Sequence, residues 1–158
     1  MDLPAVDVYG AVHKGIRYAL LELLRRMGTV DPLDGSSFDM LFDDLDGAFY
    51  LCAAHAEQEE RYVHKVVEAH SPGALRGASD AHEALGQQLE QLRAALSELA
   101  CADAPAKPGL YRVFYLQYSS FVAQCLEHMV QEELRVQALL EQLFSEAEVR
   151  AIQSSMLG

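Results

Sequence analysis

The sequence predicts an all-α fold: an up-down-up-down four-helix bundle followed by a short fifth helix at the C-terminus. Helix-forming residues dominate the 158-residue chain, and no stretch alternates apolar and polar residues for long enough to form a β-strand. Turn-forming residues gather in three clusters, at 28–37, 71–77 and 103–109, which leave four long segments. Short connections make neighbouring helices antiparallel, so their apolar faces close on one another. We expect one domain over residues 1–158, with the bundle at about 4–143.

Each of the four segments carries an inward stripe, a row of residues spaced alternately three and four positions apart, by which a helix faces its bundle partners. The stripes, in chain order, are Val6, Tyr9, His13, Ile16, Leu20, Leu23, Met27; Phe38, Leu41, Leu45, Ala48, Cys52, His55, Glu59, Tyr62, Val66; Leu75, Ala78, His82, Leu85, Leu89, Leu92, Leu96, Leu99; and Tyr111, Phe114, Tyr118, Phe121, Cys125, His128, Glu132. Beyond Glu132 the fourth stripe slips, because the next position would be Arg135 while Val136 carries the apolar face.

The fifth helix is predicted at about 145–156 from its start signal. Ser145 is followed three residues later by Glu148, which is the spacing of a capping box at a helix N-terminus. We expect this helix to be an appendage to the bundle.

Composition excludes several classes of partner. The chain has 24 acidic and 12 basic residues, a formal charge of −12 that repels nucleic acid and anionic membrane surfaces. No apolar run is long enough to span a membrane, and the N-terminus lacks the order of a signal peptide. Three cysteines without a C-x-x-C pair favour reduced thiols. The sequence therefore predicts a soluble, cytoplasmic protein.

The inward stripes carry polar residues that a plain hydrophobic core avoids. Each stripe has one histidine, and the stripes have two acidic residues between them. At about 1.5 Å per residue the histidines lie about 22 to 30 Å from the first or third turn, so all four reach one depth of the bundle. The predicted metal ligands are His13, His55, Glu59, His82, His128 and Glu132.

Two buried carboxylates in one layer need cations between them, because an uncompensated buried charge costs several kcal/mol. Imidazole with carboxylate suits iron or manganese, and zinc stays an alternative. The second and fourth stripes share the pattern H-x-x-Q-E-E, at His55–Glu60 and His128–Glu133. Its i, i+4 spacing lets histidine and glutamate reach one ion.

The remaining histidines are predicted to be surface residues. His64 lies two positions past Tyr62, about 200° around the helix, so it should face solvent or a neighbouring loop. His70 lies at the frayed end of the same helix. Neither is expected to bind metal.

Tyrosines and cysteines near the predicted ligands are expected to be structural residues of the core. Tyr9, Tyr62 and Tyr118 are expected to be core aromatics, with a hydrogen bond or an extra ligand as the alternative. Cys52 and Cys125, one turn before a histidine, are expected to be small buried apolar residues. No catalytic role is assigned to them.

The ordered set His13, His55/Glu59, His82 and His128/Glu132 resembles the hemerythrin-like (HHE cation-binding) domains over nearly the whole chain. The resemblance implies two non-heme iron ions, bridged by both glutamates and by an oxo or hydroxo group. Oxygen-carrying hemerythrins have a further histidine four residues after the third one, where this chain has Gly86. The chain is therefore more similar to the bacterial type, and the resemblance implies binding without reversible oxygen transport.

Two classes of function stay open. The first is a di-iron binding protein that senses, stores or binds iron, dioxygen or nitric oxide without turnover. The second is a di-iron oxidoreductase acting on peroxide, dioxygen or nitric oxide, or an iron donor for cluster repair. The sequence has no Gly-rich phosphate loop or flavin fingerprint, which favours binding of a small diatomic or peroxide ligand. A ferritin-like bundle would need paired E-x-x-H motifs, which are absent.

Overall fold

The predicted all-α bundle with a short C-terminal helix is confirmed. The computed structural model describes residues 4–157, which form helices joined by short loops and contain no strand. The helices are α1, Gly10–Met27; α2, which combines Gly35–Glu59, Glu60–His64 and Lys65–His70; α3, Arg76–Cys101; α4, which combines Lys107–Gln131, Glu132–Val136 and Gln137–Leu143; and α5, Glu146–Leu157. Within this range no helix has the length and apolar character that crossing a membrane requires.

The chain enters α1 through a non-helical segment. The Asp7 carboxylate accepts a hydrogen bond of 2.7 Å from the Gly10 N–H, the first residue of the helix. A side chain at Gly10 would collide with this carboxylate, so the close approach requires glycine. The Gln137 amide holds the segment to α4, because it accepts from the Val8 N–H and donates to the Val6 carbonyl.

The C-terminal helix begins at the predicted capping box. The Glu148 carboxylate accepts hydrogen bonds from the Ser145 N–H and hydroxyl, at 2.8 and 2.7 Å. The helix buries Val149, Ile152 and Met156, so it is packed into the bundle and is more than an appendage.

A five-residue π-helical turn, Glu60–His64, interrupts α2 and changes which residues face inward. The wider turn accommodates one extra residue before the α-helix resumes. Tyr62 and Val66, predicted on the inward stripe, pack against the core but are only half-buried, whereas their neighbours Val63 and Val67 are completely buried. The inward stripe is therefore shifted by one position here.

A second π-helical turn, Glu132–Val136, occupies the corresponding place in α4. It explains why the fourth inward stripe slips by one residue, since Val136 is buried and Arg135 is exposed. Both π-helical turns begin within the repeated H-x-x-Q-E-E motif, at Glu60 and at Glu132. Turns of this kind occur frequently at functional sites.

The apolar interior consists of two clusters on either side of the histidines and glutamates. The larger cluster fills the end of the bundle that holds the first and third turns, and includes Leu20, Leu45, Leu96, Phe114 and Tyr118. The smaller cluster fills the other end, where it joins the N-terminal segment to α5, and includes Tyr9, Val63, Val67, Leu140 and Ile152.

Candidate metal centre

All six predicted ligands come together in a layer between the two apolar clusters. Glu59 and Glu132 are each 1% exposed, and the four imidazoles are almost completely buried. The side chains form two overlapping groups, within each of which the donor atoms lie at most 4.8 Å apart. The candidate metal centre consists of His13, His55, Glu59, His82, His128 and Glu132.

The first donor group joins the histidines of α1 and α2. His13 Nε2 and His55 Nε2 are 3.0 Å apart. Glu59 Oε1 lies 3.2 Å from His55 Nε2, and Glu132 Oε2 lies 3.5 Å from His13 Nε2. Four donor atoms from three helices therefore converge on one point.

The second donor group joins the histidines of α3 and α4 in the same way. His82 Nε2 lies 3.0 Å from Glu59 Oε2 and 3.2 Å from Glu132 Oε1. His128 Nε2 lies 2.9 Å from Glu132 Oε1. The two groups are related by exchanging α1 with α3 and α2 with α4.

Each carboxylate is divided between the two groups. Glu59 directs Oε1 to the first donor group and Oε2 to the second. Glu132 directs Oε2 to the first group and Oε1 to the second. A carboxylate with one oxygen in each of two ligand sets has the arrangement needed to bridge two cations.

The second glutamate of each H-x-x-Q-E-E motif orients a histidine on another helix. Glu60 Oε1 lies 2.9 Å from His82 Nδ1, and Glu133 Oε1 lies 2.9 Å from His13 Nδ1 and 2.6 Å from Arg17 Nη1. An ionised carboxylate only accepts, so both Nδ1 atoms donate and both Nε2 atoms face the centre. Metal-binding histidines commonly donate their other ring N–H in this way.

Glu60 and Glu133 were missed as functional residues by the sequence analysis. The repetition of the double Glu in both motifs was the available signal. The motif alone does not show that the second glutamate contacts the histidine of a neighbouring helix, which depends on how the helices pack.

Charges in the centre favour a bound cation. Burial raises the pKa of Glu59, but the nearby imidazoles of His13 and His55 outweigh it and hold the pKa well below its usual value. Burial also raises the pKa of Glu132, and its neighbouring imidazoles again bring the value below normal. Both carboxylates are therefore ionised at neutral pH. Burial lowers the pKa of His82, but the carboxylates of Glu132 and Glu59 raise it to about 10.

The residues fit a metal ion by two tests. First, Glu59 Oε1, Glu132 Oε2 and His128 Nε2 are buried without a hydrogen bond of good geometry in the described chain, although other donor atoms are close. Second, two ligand atoms that are each about 2.1 Å from one metal ion lie roughly 3.0 to 3.4 Å from each other. Most of the distances between donor atoms in both groups fall in this range. The buried histidine and glutamate cluster could therefore hold metal.

The prediction that His64 faces solvent or a loop is wrong. It is 4% exposed and stacks in parallel on His82, with ring centroids 4.9 Å apart. Its Nδ1 lies 2.9 Å from Glu60 Oε1 and 3.1 Å from Ser79 Oγ. The π-helical turn turns this residue toward α3, so His64 supports the face of a candidate ligand. His70 is exposed, as predicted, and donates to a backbone carbonyl.

Among the three tyrosines near the predicted ligands, Tyr9 is the one in contact with the centre. Its ring centroid lies 5.1 Å from that of His13, and its hydroxyl is buried without a partner among residues 4–157. Burial, together with the charges of both centre carboxylates, raises its pKa well above normal. Tyr118 donates to the Leu20 carbonyl, and Tyr62 is half-buried under the Arg61 guanidinium.

The cysteines beside the centre are protonated thiols. Burial raises the pKa of Cys52 to about 11, against the opposing charge of Arg93, and raises the pKa of Cys125 further. Neither belongs to a donor group among the described residues. Both lie in the apolar layer next to the histidines.

No protein-family model matches the chain, and a search of curated proteins found no match. The likeness to hemerythrin-like domains therefore stays a prediction from the ordered motifs. A functional assignment depends on the geometry of the centre itself.

Proposed function

We propose that the chain is a hemerythrin-like protein that binds about two non-heme iron ions at the candidate metal centre. The protein would either sense iron through the occupancy of this centre, or sense or bind dioxygen or nitric oxide at the bound ions. The observation that carries this proposal is the division of both carboxylates between the donor groups. A single-ion site would leave half of those oxygens unused in a buried layer, where an unpaired charge is costly.

The donor atoms favour iron over zinc. Imidazole nitrogen and carboxylate oxygen are suited to iron and manganese, and no thiolate belongs to either donor group of the described chain. A structural zinc site would be saturated by four tetrahedral ligands of its own, whereas both groups here share their carboxylates. When bound, iron would supply redox chemistry and exchangeable positions for a small ligand.

The protein contributes charge, orientation and apolar surroundings. Glu59 and Glu132 neutralise part of the cationic charge, and the four histidines hold the ions from four helices. Glu60 and Glu133 contact Nδ1 of His82 and His13 and so hold both rings with Nε2 directed at the metal. The apolar clusters on both sides of the layer shield the ions.

Metal analysis of matched double variants tests this proposal. Protein made in iron-rich medium should contain about two iron ions per chain, one for each of the two donor groups that share Glu59 and Glu132. The Glu59→Gln, Glu132→Gln variant should lose most of that iron. The control, Glu57→Gln with Glu127→Gln, changes two exposed glutamates on the same helices and should keep it. Absorption and Mössbauer spectra identify a coupled iron pair in the wild type.

Full iron loading in the Glu59→Gln, Glu132→Gln variant would contradict the proposal. So would a Mössbauer spectrum of the iron-loaded wild type that shows isolated iron ions and no coupled pair.

A further inference from the structure

A cavity of about 260 Å³ adjoins the candidate metal centre on the side of the larger apolar cluster. It lies between α2, α3 and α4, with His55, His82 and both centre glutamates at one end. Its walls are mostly apolar, and Leu85, Leu89, Phe121 and Met129 form much of them.

This volume exceeds what a diatomic ligand needs. An apolar protein cavity of about 150 Å³ holds a benzene molecule, which has six non-hydrogen atoms. By that scale the cavity accommodates an organic molecule of about eight to ten non-hydrogen atoms. One molecule of dioxygen or nitric oxide would fill only a small part of the cavity volume.

Arg93 places a cation in this apolar wall. Its Nε is buried and has no hydrogen-bond partner in the described chain, and its guanidinium forms no ion pair there. Glu90, one turn away on α3, also lines the cavity but is exposed at its mouth beside Gly86. A guanidinium presents only donors in a planar fork that matches a carboxylate.

Arg93 and the centre occupy opposite ends of the cavity. Arg93 lies eleven positions after His82, which corresponds to about 16 Å along α3. Side chains on an α-helix lean toward its N-terminus, which for Arg93 is the direction of the histidines. A ligand held at the guanidinium therefore extends along the apolar walls toward the metal ligands.

We propose that this cavity binds a small organic anion, with its acid group on Arg93 and a short apolar body directed at the candidate metal centre. Binding of the acid by Arg93 does not depend on metal. The contact of the far end with metal ions rests on the proposed function. The ligand class is a straight or lightly branched carboxylate of about six to eight carbons.

Calorimetric titration with hexanoate tests the anchoring step on metal-free and iron-loaded protein. We expect saturable binding in both, weakened about tenfold or more in Arg93→Met, because a charge-assisted hydrogen bond is lost. The matched control is Arg112→Met, which removes an exposed arginine of α4 and should leave the affinity unchanged. Titration with 1-hexanol, which has the same body and no acid, should also be at least tenfold weaker.

Two further variants separate loss of the site from loss of the fold. Gly86→Leu places a side chain at the mouth, where an added Cβ meets no atom within 4 Å, and should reduce hexanoate binding while the protein stays folded. Glu90→Gln removes the negative charge at the mouth and should leave binding equal or tighter. Unchanged binding in Arg93→Met, or no binding to the wild type, would overturn the proposal.

Nuclear magnetic resonance of bound hexanoate tests its direction. With ferrous iron in the centre, the terminal methyl should be broadened more than the methylene next to the acid. Stronger broadening of that methylene would overturn the proposal, since it means that the acid binds iron directly. Arg93-dependent binding without iron uptake would instead contradict the proposed function alone and support the anchoring step.

Discussion

Replacement of tyrosine with phenylalanine should have opposite effects on stability at two buried positions, one beside the candidate metal centre and one away from it. Tyr9 and Tyr118 are both 0% exposed, so replacing either with phenylalanine removes one buried oxygen and no apolar surface. The Tyr118 hydroxyl donates to the Leu20 carbonyl at 3.0 Å, whereas the Tyr9 hydroxyl has no partner in the described chain. In metal-free protein we expect Tyr9→Phe to stabilise the fold and Tyr118→Phe to destabilise it.

The magnitudes follow from the hydrogen bonds. A buried polar group without a partner costs about 1 to 3 kcal/mol, which Tyr9→Phe would recover. A satisfied buried hydrogen bond contributes about 0.5 to 1.5 kcal/mol, which Tyr118→Phe would lose. For a chain of this size 1 kcal/mol moves the Tm by about 2 to 4 °C. The two variants should therefore differ in Tm by at least about 3 °C.

Thermal unfolding of chelated protein at pH 7, followed by circular dichroism, measures this difference. Urea unfolding at constant temperature gives the same comparison as a change in the free energy of unfolding, provided that the slope with urea is unchanged. A lower Tm in both variants would refute the reasoning, because it would show that the Tyr9 hydroxyl has a stabilising partner.

Three other perturbations have expected outcomes. Chelation should leave most of the helical circular dichroism but lower the Tm, since apolar clusters lie on both sides of the centre; complete loss of helicity would mean that metal is needed for folding. Gly10→Ala should destabilise the fold by roughly 1 kcal/mol, because its added Cβ displaces the Asp7 carboxylate. Gly15→Ala has no atom near its added Cβ and should stabilise the fold by up to about 1 kcal/mol. Equal changes in Tm for the two variants would contradict this prediction. The pKa of His82 is raised to about 10 from an ordinary 6.5, so its contribution to the stability of metal-free protein is complete below about pH 6.5 and is lost as the pH rises to about 10. The free energy of unfolding of His82→Gln should therefore depend less on pH over that window than that of the wild type. An unchanged pH dependence would contradict this prediction.

The position of the six candidate ligands could be predicted because it follows from helical periodicity. Residues three and four apart share a face, so His55 and Glu59 had to point the same way on α2. Equal distances from the turns then placed His13 and His128 at the same depth. Neither step depends on details of side-chain packing, and the structure brings these residues together.

The π-helical turns could be predicted only in part. A π-helical turn changes the hydrogen-bond pattern by one residue and has no composition of its own. In α4 the change from Arg135 to Val136 left a visible slip in the apolar pattern. In α2 both Tyr62 and Val63 are apolar, so the slip was hidden and His64 was predicted on the wrong side.

Arg93 could not be distinguished from a surface arginine by its place in the sequence. It follows the buried Leu92 on α3, where a charged residue normally faces solvent. It lines the cavity between α3 and its neighbours, and its Nε is buried there. That space is a property of three helices together.

The division of the interior into two apolar clusters has a consequence for how the molecule unfolds. Cooperative unfolding depends on continuous contact, and here a layer of charged side chains interrupts the hydrophobic contact between the clusters. Without cations, hydrogen exchange should therefore detect two units, the end that includes α5 opening before the larger one. Cations held by residues from four helices would join the two ends, so occupancy would be measurable as the loss of this difference in exchange rates below the global transition.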